Sequence, residues 1–257
     1  MARKGNWLRR VLYRVLPLET YLWVLSKLYF LSFNLGLIKN NRLYVYPYFL
    51  KNIVKKGDVC IDIGANLGYI SVILAQLVGK TGKVYSVEPV KPVRAVLTRN
   101  TKQYQQVEIM PYALGEEDKA IKLGNNSLKA KGFVASGSHF VLDAEAEAEV
   151  EFTAQMKKGS ALFADLPRLD FIKCDIEGFE IVVLPELAPV IDRFNPLLLV
   201  ETSGDSRRQL MDFFSKRNYE ALVWDGTKLQ TTSANENWDI LFIPKAKLSD
   251  FEAFLTP

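Results

Sequence analysis

The chain of 257 residues contains two cysteines and one histidine, and each shortage closes off a kind of chemistry. Cys60 and Cys174 stand singly inside apolar runs, so there is neither a disulfide framework nor a metal-type spacing. Both read as small buried hydrophobes, zinc is not expected, and the compartment expected is a reducing cytoplasm. No cleavable signal pattern is visible. The lone histidine, His139, lies in a Gly/Ser-rich stretch and leaves triad or histidine-base chemistry little to draw on; it is expected to be a loop residue without a role. Internal repeats are absent, and so is the G-x-G-x-x-G fingerprint of dinucleotide binding.

What is present has the balance of an ordinary globular protein, 49% apolar and 24% charged. The net charge of +4 conceals a division. Residues 1–56 carry eleven Lys or Arg against Glu19 alone, or +10, leaving 22 bases and 28 acids, or −6, for the remainder. An acidic main region argues against a nucleic-acid substrate, and the basic segment points to an anionic surface or partner. Residues 6–16 place Trp7, Leu8, Val11, Leu12, Val15 and Leu16 on one helical face and Arg9, Arg10 and Arg14 on the other, ending at Pro17. Residues 20–38 are more apolar, but Lys27 sits near the middle and Ser26, Ser32, Asn34 and Gly36 dilute the run, which argues against a membrane span. Two readings stay open for residues 1–38: packing on the flank of the main domain, or peripheral membrane contact. The division expected is a basic, amphipathic helical extension over 1–45 and a main domain over 46–257.

The main domain is organised around residues 57–68, Gly-Asp-Val-Cys-Ile-Asp-Ile-Gly-Ala-Asn-Leu-Gly. A short β-branched run ends in an acid, passes into a glycine-punctuated turn, and is followed by Leu67, Ile70, Ile73, Leu74 and Leu77 at helical spacing. Strand, tight turn and helix bring Gly64 and Gly68 to a place where backbone approaches a ligand, beside the first amides of the helix. The carboxylate of Asp62, with Asn66 where a middle glycine might stand, would repel a pyrophosphate and attract a sulfonium carrying an ammonium tail. S-adenosylmethionine is therefore favoured over a dinucleotide. The next strand, residues 82–88, ends in Glu88, placed to meet ribose hydroxyls of either ligand.

Further along, a basic helix over 90–102 and a strand over 107–114 precede residues 118–158, where Gly124-Asn125-Asn126-Ser127 and the repetitive 144–150 predict loops and a hairpin inserted over the crevice. Strand–helix alternation then resumes: a strand over 169–175, a helix to Phe194 bent at Pro185, a strand over 196–202, a helix over 206–216, and two closing strands over 219–224 and 238–243. This is an α/β pattern, a doubly wound sheet with an antiparallel C-terminal strand pair. Four strands end in carboxylates, Asp62, Glu88, Asp175 and Glu201, expected on the ligand-bearing rim.

These stretches resemble the FkbM-type methyltransferases, a branch of the Rossmann-like class I adenosylmethionine enzymes. The matching residues are 59–68, Val87-Glu88-Pro89, Ala113-Leu114-Gly115 and, most specifically, Asp170-Phe171-Ile172-Lys173-Cys174-Asp175-Ile176-Glu177-Gly178-Phe179-Glu180. The resemblance spans about residues 50–243 and departs from the family at 153–159, where a Thr-Leu-Asp stretch is usual. It implies S-adenosylmethionine as cofactor and O-methylation of a saccharide, glycolipid or natural-product hydroxyl. It places Asp62, Gly64, Asn66 and Gly68 beside the methionine portion and Glu88 on the ribose. A hydroxyl acceptor needs help with its proton. Without a histidine the candidates are Asp175, Glu177, Glu180 and Glu201, with Lys173 tuning one of them; Asp175 is expected nearest the reacting methyl, touching the cofactor as well. Two other functions compete: a dinucleotide-dependent oxidoreductase, and a non-catalytic module that binds the cofactor.

Overall fold

The computed structural model describes residues 2–41, 44–142, 147–233 and 239–255, and side chains from residue 7 onward. Trp238, expected in the last strand, lies outside the described residues. Two helices open the chain, α1 (Ala2–Val15) and α2 (Leu18–Asn34), separated at Pro17, which has no N–H to give and caps α2 in an extended conformation. One face of α2 buries Tyr21, Leu22 and Ser26. The Ser26 hydroxyl accepts a hydrogen bond from Asn100 Nδ2 at 2.9 Å, fastening the extension to the domain. Packing is thus the fate of that face, while Trp7, Val15 and Leu35 on outer faces remain exposed. Among the described residues no helix is long and apolar enough to cross a membrane. A short helix, α3 (Val45–Phe49), ends in a 3-10 turn and leads to β1 (Val59–Ile63).

From β1 the chain runs through α4 (Tyr69–Val78), β2 (Lys83–Val87), α5 (Lys91–Thr101) and β3 (Val107–Met110). The strand expected over 107–114 is broken. Pro111 cannot donate to a ladder, and the chain changes sheets there: Met110 pairs with Val87, whereas Tyr112 opens β4 (Tyr112–Leu114) opposite Gln155. Next come β5 (Lys119–Asn125), α6 (Ser127–Lys131), β6 (Phe140–Val141) and β7 (Val150–Lys157). The loops and hairpin expected over 118–158 are in fact most of a second sheet, ordered β4-β7-β5-β6, in which β5 and β7 pair antiparallel from Lys119↔Met156 to Asn125↔Val150. Its inner face, with Ile121, Leu123 and Met156, packs with Tyr21 and Leu22 of α2 and with Val90, Val93 and Val96.

The remainder is α7 (Gly159–Leu162), β8 (Phe171–Cys174), α8 (Glu180–Glu186), α9 (Ala188–Phe194), β9 (Leu197–Val200), α10 (Gly204–Ser215), β10 (Tyr219–Trp224), β11 (Leu229–Thr231) and β12 (Ile240–Pro244). The helix expected to bend near Pro185 is two helices meeting at Leu187. The main sheet has the order β11-β10-β12-β9-β8-β1-β2-β3. Strands from β9 to β3 are parallel, and β12 inserts antiparallel between β9 and β10. The expected antiparallel closing pair is present, with β11 as a third strand on the open edge.

Alternation along the strands builds a core on each face. Ile61 and Ile63, Ile172 and Cys174, and Ile240 and Phe242 meet the inner faces of α8, α9 and α10, where Phe214 stacks on Phe242 at 4.2 Å. Cys60, Phe171, Leu241 and Ile243 face the other way, against α4 and Phe49. Each fully buried Leu, Ile or Phe contributes about 1.5–3 kcal/mol, so these two layers fix the sheet. Its C-terminal rim brings Gly64, Glu88, Asp175 and Glu201 into one region.

Candidate active site

The turn between β1 and α4 carries three residues in the left-handed region, Gly64, Asn66 and Gly68. Gly64 has a structural reason of its own: a Cβ there would collide with the carbonyl oxygen of Asp175. Gly68 caps α4, and a Cβ would stand 2.9 Å from Leu97 Cδ1. The turn is held by Glu88, whose Oε2 accepts the Asn66 N–H and whose Oε1 accepts the Val90 N–H, each at 2.9 Å. Burial pushes the Glu88 carboxyl up to about 7, against the pull of those two amides. Gly64, Asn66 and Glu88 line a cavity of about 300 Å³ together with Tyr112, Ala113 and Phe140.

The second cluster joins the ends of β8 and β9. Lys173 Nζ lies 2.8 Å from Asp175 Oδ2 in an ion pair whose ammonium is buried and whose carboxylate is partly exposed. The carboxyls of Asp175 and Glu201 are hydrogen-bonded to each other. Burial raises the Asp175 carboxyl, but Lys173 and the hydrogen bond with Glu201 outweigh it and hold the group below its usual range. Glu201 is the partner that keeps the proton, raised by that same bond, by burial and by the charge of Asp175. Asp239, just before β12, is pushed up to about 6 by burial and by Asp175. Burial alone would lower the Lys173 ammonium, yet Asp175 and Asp62 carry it above its ordinary value, so it stays charged.

Lys173, Asp175, Glu201 and Asp239 are also part of the wall of a larger cavity, about 990 Å³, bounded by α1, α2 and the 133–138 loop. Among the described residues, Ser136, Gly137, Asp175 and Glu201 line both cavities. The carboxyl pair therefore stands between a cavity holding a ribose-type carboxylate and a larger one open to a second molecule.

Of the residues singled out in the sequence, Gly64, Asn66, Glu88 and Asp175 line the smaller cavity, Glu177 joins them at its margin with φ 54°, and Lys173 and Glu201 complete the second cluster. Asp62 and Gly68 line neither cavity. Asp62 is not the last residue of its strand; it is fully buried beneath the turn, accepts a 2.6 Å hydrogen bond from Ser71 Oγ, and sits in register with Lys173. Its place on the rim is thus corrected: Ile63 extends the strand by one residue, and the Asp62 side chain points into the layer between β1 and α4. Glu180 is likewise buried, accepting the Ile176 N–H at 2.7 Å and bracing the turn after β8. His139, expected to have no role, lines the smaller cavity. Its Nδ1 lies 2.9 Å from the Ser136 carbonyl oxygen, and burial depresses its pKa to about 4, so the ring is neutral. Being the one histidine was the only signal available for it; Asp239, before an unremarkable apolar strand, had none.

The smaller cavity suits an adenosine carrying a sulfonium chain. Each Glu88 oxygen retains a lone pair for a ribose hydroxyl, the buried Asn66 Oδ1 has no partner, and Asp175 supplies negative charge. Parallel strands with one antiparallel insertion, and this rim, define a Rossmann-like class I methyltransferase. The methyltransferase FkbM domain family matches residues 62–221, and the chain belongs to that family. It is a methyltransferase whose cofactor is S-adenosylmethionine, which sets aside the oxidoreductase alternative. Among solved structures, the methyltransferase FkbM from Methylobacillus flagellatus is similar at 15% identity and a TM-score of 0.46, over 76% of this chain and 49% of that one. A SAM-dependent O-methyltransferase from Thermotoga maritima is similar at 13% identity and 0.46, over 76% and 63% of the two chains. An rRNA methylase from Streptococcus thermophilus follows at 9% identity and 0.46, over 79% and 95%.

Proposed function

We propose that the protein is an O-methyltransferase acting on a hydroxyl of a saccharide, glycolipid or natural-product acceptor. The observation that carries this reading is the position of the Asp175–Glu201 carboxyl pair, common to the walls of both cavities. When bound, S-adenosylmethionine supplies an electrophilic methyl group for in-line displacement. Glu88 holds the ribose, Asn66 and Asp175 face the amino-acid end, and Gly64 lets the chain pass close by. Across the wall, Glu201 keeps its proton in the bond to Asp175, while Asp175, held ionised by Lys173 and that bond, takes the hydroxyl proton as the C–O bond forms. A carboxylate of low pKa suffices, because an oxygen that has gained a methyl and still holds its proton is far more acidic than a carboxylic acid. Positioning of the hydroxyl in line is the larger part of the task.

The −6 charge of residues 57–257 favours a small acceptor over a phosphate-rich nucleic acid. The two free, buried cysteines are compatible with a reducing cytoplasm. The test is mass spectrometry of glycans and glycolipids from cells with and without the protein, followed by reconstitution with the purified enzyme and Asp175→Asn. A methyl ether lost without the protein and restored by wild type alone supports the reading. Full turnover by Asp175→Asn rejects Asp175 as the base, and an unchanged methyl-ether profile rejects the acceptor class.

A further inference from the structure

The larger cavity changes character along its wall. Next to the ends of β8 and β9 it is charged, with Lys173, Asp175, Glu201 and Asp239. Its walls carry the rings of Tyr21, Tyr29, Tyr44, Tyr46 and Tyr69, with Tyr29 and Tyr69 at 4.2 Å and the Tyr46 hydroxyl donating to the Asp239 carbonyl at 2.7 Å. Leu12 and Leu25 line the part next to the N-terminal helices, and Leu8 and Leu28, 47% and 45% exposed, stand at the rim. Tyrosine rings offer flat apolar faces with polar tips, suited to a sugar, whereas leucines offer nothing to a hydroxyl.

Outside the rim the apolar surface continues. On α1, Trp7, Val11 and Val15 follow at four-residue spacing and are 68%, 38% and 68% exposed. On α2, Leu31 continues the line of Leu28, at 56%, followed by the C-cap Leu35 at 63%, and Leu37 beyond the helix is 72% exposed. With about 100° between successive helical residues, the Trp7–Val11–Val15 line runs between Leu8 on the cavity side and Arg14 on the other, with Arg10 beyond, its Nε donating to the Lys131 carbonyl at 2.8 Å. Exposed apolar surface of this extent is uncommon on a soluble monomer. The charge around it has one sign: residues 1–41 hold seven Lys or Arg against Glu19. Apolar residues bordered by cations, on helices that do not span, match the interfacial zone of an anionic bilayer.

We infer that α1 and α2 rest on an anionic lipid surface with the cavity mouth facing it, and that the acceptor is a membrane-resident amphiphile. Its hydrocarbon part lies against Leu8, Leu12, Leu25 and Leu28, and its hydroxylated head reaches Asp175 and Glu201. The choice of acceptor rests on the larger cavity being the acceptor site; the surface contact does not.

Full-length protein is to be sedimented with phosphatidylcholine vesicles, with and without phosphatidylglycerol, at low and high salt. Binding is expected to the anionic vesicles at low salt and to fall at least about tenfold in high salt, in Arg14→Glu, and in a Trp7→Ser/Val15→Ser/Leu35→Ser variant, all with unchanged adenosylmethionine affinity. No binding at low salt, or equal binding by both variants, overturns the surface contact. For the cavity, dodecyl maltoside below its micellar concentration is titrated calorimetrically against maltose. Saturable binding of the detergent but not of maltose is expected, lost in Leu25→Trp and in Ser32→Trp while adenosylmethionine still binds. Equal binding by the filled variants, or none by wild type, overturns the amphiphile. Neither measurement needs turnover, so both stay readable if Asp175 proves not to be the base.

Discussion

Glu88→Gln tests the cofactor site most directly, because it removes the charge and keeps the shape. In the wild type each carboxylate oxygen accepts one backbone N–H, from Asn66 and from Val90. An amide can satisfy only one of them; the other meets an NH₂ group and is left without a partner, at about 1–3 kcal/mol of stability. On the ligand side, two hydroxyl bonds to a charged acceptor, about 1.5–3 kcal/mol each, become bonds to a neutral group at about 0.5–1.5. The difference, about 2–3 kcal/mol, weakens S-adenosylmethionine binding roughly 30- to 150-fold. The pH dependence has a definite sign. Burial raises the Glu88 pKa from 4.5 to about 7, and the ribose prefers the ionised form, so the wild-type dissociation constant should tighten about tenfold from pH 6 to pH 8 while Glu88→Gln stays flat. For stability the sign is opposite. Between 4.5 and about 7 the folded chain binds the proton and the unfolded chain does not, so the contribution of this group falls as pH rises through that window, by up to about 3 kcal/mol. Titration calorimetry at pH 6, 7 and 8 is the assay. A mutant affinity within twofold of wild type, or a wild-type affinity independent of pH, would refute the assignment of Glu88 to the ribose.

Asp175→Asn should weaken S-adenosylmethionine binding by about tenfold, one charged contact becoming neutral, and lose about 10²–10⁴-fold in turnover at saturating cofactor, measured by single-turnover methyl transfer. Lys173→Met removes the cation that lowers Asp175, so the acidic limb of the rate profile should move to higher pH; an unmoved limb means that Asp175 is not the titrating base. Gly64→Ala introduces a Cβ at φ 76° against the Asp175 carbonyl and should cost at least about 3 kcal/mol in urea unfolding. Phe214→Ala empties the site stacked on Phe242 and should cost about 3–5 kcal/mol with cofactor affinity unchanged.

The sequence by itself determined the strand, turn and helix of residues 59–78 and the alternation of the main sheet. Those signals are local: a period of two in the strands, a period of 3.6 in the helices, and glycines where φ must be positive. It also determined that Glu88, Asp175 and Glu201 would meet, since parallel strands of one sheet share one C-terminal rim. The alternation Val150-Glu151-Phe152-Thr153-Ala154-Gln155-Met156 was legible too, but its partner strand begins at Lys119, and no local pattern names a partner thirty residues away. Tertiary structure decided the rest. It put Asp62 beneath the turn, because one further strand residue moves the side chain off the rim. It brought Asp239 to Lys173 and Asp175, and His139 to the cofactor cavity, across distances in sequence that only folding closes. It made the Asp175–Glu201 pair share a proton, since that depends on two carboxyls from different strands meeting beside the buried Lys173 ammonium. And it turned the N-terminal helices from an appendage into a wall of the larger cavity, because an apolar face is legible in sequence but what it covers is settled only by the surface that meets it.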